Sequence, residues 1–155
     1  MRPVAASVLA MAVVLSAAAP AVATGPREPR LSGTVRLKTS TTAEIDFTID
    51  ARGVDEAARG TFMIHHKEGD SDVTSRGEVV CLQVGGPVAV MTGRTTWASD
   101  PRVPIGGRIG ITVYDHGRHD RLGASWQLGH GGDIPSCMGM APQAEIASGN
   151  FTVQS

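Results

Sequence analysis

The sequence predicts an all-β fold: a single antiparallel meander of about eight strands, forming a barrel or a sandwich, with one disulfide. Three observations carry that expectation. From Thr42 to Ala51, five polar and five apolar residues alternate strictly, with Ala43, Ile45, Phe47, Ile49 and Ala51 on one face. Short runs of the same period recur downstream, separated by turn residues. No segment carries the apolar spacing of an amphipathic helix, and Gln143–Ala147 is at most one helical turn.

The elements follow in order. Thr24–Arg30 holds two prolines, a glycine and three charges and reads as a loose leader. Leu31–Leu37 is the first strand, and the alternating stretch is the second. Gly60–Lys67 is the third, closed by the polar turn Glu68–Asp72. Gly77–Val84 is apolar on both faces, with Val80, Leu82 and Val84 on one and Val79 and Cys81 on the other, as in a central strand. Gly85-Gly86 is a two-residue hairpin signal, and Pro87 opens the strand that continues through Val88–Thr92. Asp100–Pro104, with two prolines, is a loop. Arg108–Tyr114 turns Ile109, Ile111 and Val113 inward, and Leu122, Ala124, Trp126 and Leu128 form the next inward face. Gly129–Pro142 is the longest irregular stretch, and Gly149–Gln154 ends the chain as a strand carrying Phe151 and Val153.

The first 23 residues read as a secretory signal peptide. Arg2 gives a positive start, Val4–Ala19 is an apolar run, and Ala21-Val22-Ala23 is a small-x-small cleavage site that places the cut between Ala23 and Thr24. The run is short and alanine-rich beside the about 20 strongly apolar residues of a membrane anchor. The expected localisation is therefore secreted, with no stable membrane insertion after cleavage. In an oxidising compartment Cys81 and Cys137 are expected to pair, pinning the Gly/Pro-rich loop to a central strand. A free reactive thiol is the alternative, but nothing near either cysteine would lower its pKa.

Cleavage leaves 132 of the 155 residues, enough for one domain with a real core. Arg2 is the leader's single charge, so 13 of the 14 basic residues remain against 15 acidic ones, a net charge of −2. That balance provides no basic footprint for nucleic acid. With three Phe, two Trp and one Tyr, the core must be aliphatic.

Candidate chemistry is sparse. Asp115-His116-Gly117-Arg118-His119-Asp120 is the densest polar cluster. Asp115, His116, His119 and Asp120 could ligate zinc, with His130 or Asp133 completing the shell. A hydrophilic hairpin turn is the simpler reading, since Asp and His tolerate turn geometry and Gly117 supplies positive φ. His65 and His66 are adjacent on a strand and point to opposite faces, His66 toward the edge of the core. Glu44, Asp46 and Asp50 share one face, and carboxylates two residues apart lie about 7 Å from each other, the separation glycosidases use. A solvated polar face explains them as well. No nucleophile elbow, phosphate loop, dinucleotide fingerprint or calcium loop is present, so no cofactor is expected.

Three stretches carry a resemblance: Gly77–Val84 with Gly85-Gly86 and the strand Val88–Gly93; Tyr114-Asp115-His116-Gly117 with Asp120; and Gly149–Val153. Together they resemble a group of small secreted β-domain proteins of unknown function from high-GC Gram-positive bacteria. That group usually carries Asn where this chain has Pro87 or His116. The resemblance covers about half of the mature chain and implies an antiparallel β fold with shared turns. It implies no activity. The expected function is a secreted, non-catalytic binding or interaction module whose partner is an envelope or extracellular macromolecule. A barrel for a small apolar ligand, and a metal-dependent enzyme built on the Asp115–Asp120 turn, are the alternatives.

Overall fold

The computed structural model describes residues 27–39, 42–126 and 134–155. The signal sequence with its Ala23–Thr24 cleavage site, and Leu128, His130 and Asp133, lie outside the described residues. Eight strands run in chain order: β1 (Arg30–Leu37), β2 (Glu44–Arg52), β3 (Arg59–Glu68), β4 (Ser71–Gly85), β5 (Val88–Ala98), β6 (Arg108–Tyr114), β7 (Arg121–Trp126) and β8 (Ala144–Gln154). Each pairs antiparallel with the next, and β8 returns to β1, so the sheet closes into a barrel. Closure removes the unpaired edges that an open sheet would present.

The inward rows are the alternating apolar positions. Leu31 and Val35 of β1 stand opposite Ala51 and Phe47 of β2, and Phe151 of β8 packs beside Gly33. Phe47, Phe151, Leu31, Leu82, Met91 and Ile111 are the largest fully buried side chains and fill the barrel. Phe62 lies over Gly77 and Gly93, where a Cβ would run into its ring. The aromatic ring thereby covers two glycine positions that contribute no side chain of their own. The outward face of β1 and β2 is polar and ion-paired: Arg30–Asp50 at 2.9 Å, Arg36–Glu44 at 3.2 Å and Arg36–Asp46 at 2.7 Å.

Four local expectations are corrected. First, Val80 is an extra residue between the pairs Val79↔Gly93 and Cys81↔Thr92. A bulge of this kind shifts the alternation by one. Val79 therefore joins Leu82 in the core, and Cys81 is set on the outer wall. Second, the hairpin turn is Gly86-Pro87, with Gly85 still paired to Val88. Gly86 takes φ +59°. Proline's fixed negative φ suits the following place, so the turn moves by one residue. Third, β4 begins at Ser71 and β5 continues to Ala98, both longer than their apolar runs, with a second irregularity at Thr96. Fourth, Ala144–Ala147 is strand and not a helical turn, because β8 must reach both Leu37 of β1 and Leu122 of β7.

The Cys81–Cys137 disulfide is formed, with Cα atoms 5.3 Å apart. It holds segment 134–142 against the outer wall of β5, β6 and β7. Gly110 and Gly123 sit under that segment, and a Cβ at either would strike the carbonyl oxygens of Met138, Met140 or Ala141. Thr92 Oγ1 donates to the carbonyl of Pro135 at 3.4 Å, and Arg108 Nη1 to that of Ile134 at 3.1 Å. With a sequence separation of 56 between the cysteines, the chain-entropy model gives the bridge about 4 kcal/mol. Urea unfolding with and without reductant should differ by roughly that amount. A difference below about 1 kcal/mol would show that the segment contributes little to the barrel's stability.

Candidate functional site: a cleft at the barrel mouth

The predicted polar cluster is a turn between β6 and β7, and its two carboxylates close the barrel. β7 and β8 pair at only two positions, Arg121↔Glu145 and Leu122↔Ala144. Beyond them β8 runs on beside the turn. Asp120, 3% exposed, accepts the Phe151 N–H through Oδ2 at 2.7 Å and the His116 N–H through Oδ1 at 2.9 Å. Asp115 accepts the Val153 N–H through Oδ2 at 2.9 Å and the Gly117 N–H through Oδ1 at 3.3 Å. All four carboxylate oxygens thus bind backbone. His116 is exposed and stacks on Tyr114 with ring centroids 5.3 Å apart; His119 is also exposed. Among the described residues no three His, Cys, Asp or Glu side chains are grouped to hold a metal ion.

The other sequence candidates separate by face. Glu44, Asp46 and Asp50 all project outward and are matched by arginines of β1. The bidentate hydrogen bond from Arg36 holds the Asp46 carboxyl below its usual range, with His65 adding to the effect. His65 bonds Asp72 at 2.8 Å and lies 3.7 Å from Asp46. His66 points the other way, into the mouth of the barrel, 3.8 Å from Glu68.

That mouth holds a cleft of about 170 Å³. Its apolar wall is Phe62 and Ile64 of β3, Val73 of β4 and Ile109 of β6. Val103, Pro104 and Gly107 of the β5–β6 loop cover one side. Four polar side chains complete it: His66, Ser75, Thr95 and Arg108. The strand register explains the convergence, since β3 and β4 place Ile64 opposite Ser75 and His66 opposite Val73.

The covering loop is tied down at both ends. Thr95 N–H donates to the Gly107 carbonyl at 2.9 Å, and Gly106 N–H to the Thr95 carbonyl at 2.8 Å. Thr74 and Ser99 exchange two hydrogen bonds of 2.9 Å. Within the loop Asp100 accepts the Arg102 N–H at 2.8 Å and pairs with its guanidinium. Those contacts pull the Asp100 carboxyl down to about 2.

The cleft was not legible in the sequence apart from His66, read there as lying at the edge of the core. Its polar strand half, Ser71–Arg76, has no apolar alternation, and its cover is a proline-rich loop. Paired apolar positions flanked by a loop with two prolines were the only signal available. Comparison with family models, with curated proteins and with solved structures found no match.

Two measurements check this site. Asp120→Ala leaves the buried Phe151 N–H without its partner and should destabilise the barrel by about 2–4 kcal/mol in urea unfolding. A loss under about 0.5 kcal/mol would mean the seam is held otherwise. For Asp100 the folded pKa is depressed, so its loop contact is fully present above its ordinary value of 3.8 and lost as pH falls through about 2. A carboxyl NMR titration should therefore place its midpoint near 2; a midpoint at the ordinary value would remove this anchor from the loop.

Proposed function

We propose that this chain is a secreted, non-catalytic binding domain that receives a small apolar group in the mouth cleft. The observation that carries the reading is the cleft itself: an apolar hollow with a few polar groups at its wall, open to solvent, on a rigid barrel. Such concave, mostly apolar sites with convergent polar groups are the usual form of small-ligand sites. The lumen below is occupied by side chains, which supports binding at the mouth over enclosure of a large ligand.

Secretion is supported by the signal-like first 23 residues and by the disulfide, which persists in oxidising compartments. The barrel has charged side chains outside and apolar ones inside, the reverse of a lipid-embedded barrel. A non-catalytic role is supported by the commitment of the acidic side chains: those of β2 to arginines, and Asp115 and Asp120 to backbone N–H groups.

Titration of the oxidised, isotope-labelled protein with benzyl alcohol should shift the amide signals of Thr95, Gly107 and Ile109 saturably. Val103→Trp, which fills the cleft from its loop side, should abolish those shifts without lowering the unfolding midpoint. Shifts confined to other walls of the barrel, or shifts that Val103→Trp leaves intact, would overturn the reading.

A further inference from the structure

We infer that the Cys81–Cys137 bridge is a thiol-exchange site: its reduction by a dithiol lifts segment 134–142 from the outer wall while the barrel stays closed. The inference stands apart from the binding reading above. Its first ground is that the barrel is complete without the segment. The eight strands pair around the closed sheet, and none of residues 134–142 belongs to the core cluster. Met138 and Met140 are 56% and 57% exposed, so their side chains face solvent and not the barrel. A segment with little apolar burial opens locally while the core stays intact.

Its second ground is how few bonds hold the segment down. Among the described residues it accepts two hydrogen bonds from the barrel, both from side chains. Thr92 Oγ1 donates to the Pro135 carbonyl at 3.4 Å, and Arg108 Nη1 to the Ile134 carbonyl at 3.1 Å. No backbone–backbone bond between described residues joins it to β5, β6 or β7. Beneath Gly139, Thr112 Oγ1 is buried with no hydrogen-bond partner. A buried hydroxyl left unpaired opposes the packing that covers it. The disulfide is therefore the main tie between segment and wall.

Its third ground is the placing of the two cysteines. Cys81 is fully buried on the wall, whereas Cys137 is part-exposed in a turn with Ser136. Cys137 takes φ +52°, a backbone conformation rare for a residue with a Cβ. Such a conformation persists only where the surroundings impose it, and here the bridge does so. Exchange needs access to a sulfur, so the entering thiolate comes to the Cys137 side. It bonds to Cys137 Sγ, the bond between the two cysteine sulfurs breaks, and Cys81 Sγ leaves with the electron pair and takes a proton. The second thiolate of the reductant then displaces Cys137 Sγ, which is protonated in turn. The dithiol ends as a disulfide, having passed two electrons and two protons to the protein.

The test is reduction of the isotope-labelled protein with dithiothreitol in the absence of denaturant, followed by NMR. Loss of the bridge should be first order in dithiothreitol, because the thiolate attacks the folded protein. The amide signals of Phe47, Ile111 and Phe151 should stay in place, with shifts concentrated at Thr92, Gly110, Thr112 and Gly123. Backbone order parameters across 136–141 should fall from about 0.85 to below about 0.6, and glutathione disulfide should restore them. A Cys81→Ser, Cys137→Ser double variant should reproduce the reduced spectrum, which separates loss of the bridge from any adduct of the reductant. A bridge that resists dithiothreitol, or is reduced at a rate independent of its concentration, would show that it opens only through global unfolding and would overturn the inference. So would a reduced protein whose core amides lose their dispersion, or one in which 136–141 keeps its order.

Discussion

The barrel depends on two carboxylates that do the work of a missing ladder. β7 is six residues long and β8 is eleven, and they share two paired positions. The rest of β8 therefore passes the start of β7 with its N–H groups directed at a turn instead of a strand. A buried N–H with no acceptor costs about 1–3 kcal/mol. Asp120 and Asp115 supply acceptors for Phe151 and Val153, the residues that seat the end of β8 in or against the core. Phe151 in turn covers Gly33 on β1, so the seam at the turn also fixes the closing pair β8–β1. This explains why the turn is rich in Asp and poor in the Asn-Gly chemistry of an ordinary tight hairpin. The same composition, read without a fold, resembles a metal shell.

The opposite wall is closed by a different device. Segment 134–142 adds no strand to the sheet. It lies across β5, β6 and β7 because the outward residues there are small: Gly110 and Gly123 admit its backbone, and Thr92 bonds its carbonyl. The disulfide anchors it at Cys137, which itself takes φ +52°, a conformation unusual outside glycine. Ile134 at the start of the described segment meets Arg108 at the barrel mouth. The Arg108 guanidinium thus links the staple to the lining of the cleft.

How much of this could be read from the sequence varies by element, for physical reasons. β2 was clear because one of its faces is buried and the other is solvated, so alternation is enforced along its length. The class of fold and the outward set Glu44, Asp46 and Asp50 followed from the same rule, while the pairing of the cysteines followed from there being two of them in a chain read as exported. Ser71–Arg76 was hidden because it is largely polar and closes over the mouth, where little is buried. The faces of Val79 and Cys81 were inverted by the bulge at Val80, which no periodicity reveals. Ala144–Ala147 was obscured because its pairing is set by how far β8 must run to meet two partners. The roles of Asp115 and Asp120 needed the β7–β8 register, a long-range quantity. The cleft needed still more: four strands in register and a loop folded back on Thr95.

Energetics narrows what the cleft can do alone. Burying one ring is worth about 1.5–3 kcal/mol. Millimolar affinity already requires about 4 kcal/mol. An apolar group by itself is therefore held too weakly to be selected from a dilute medium. The additional interaction must come from the rim, where Arg108 and His66 stand, or from surface beside it. Trp97, near the end of β5, is 48% exposed with Arg76 set 5.2 Å from its ring. In the proposed reading, a filled lumen, an apolar seat and a polar rim would let the barrel grip the end of a ligand. Selectivity in such a site resides in the rim, because the seat accepts any group of the right bulk.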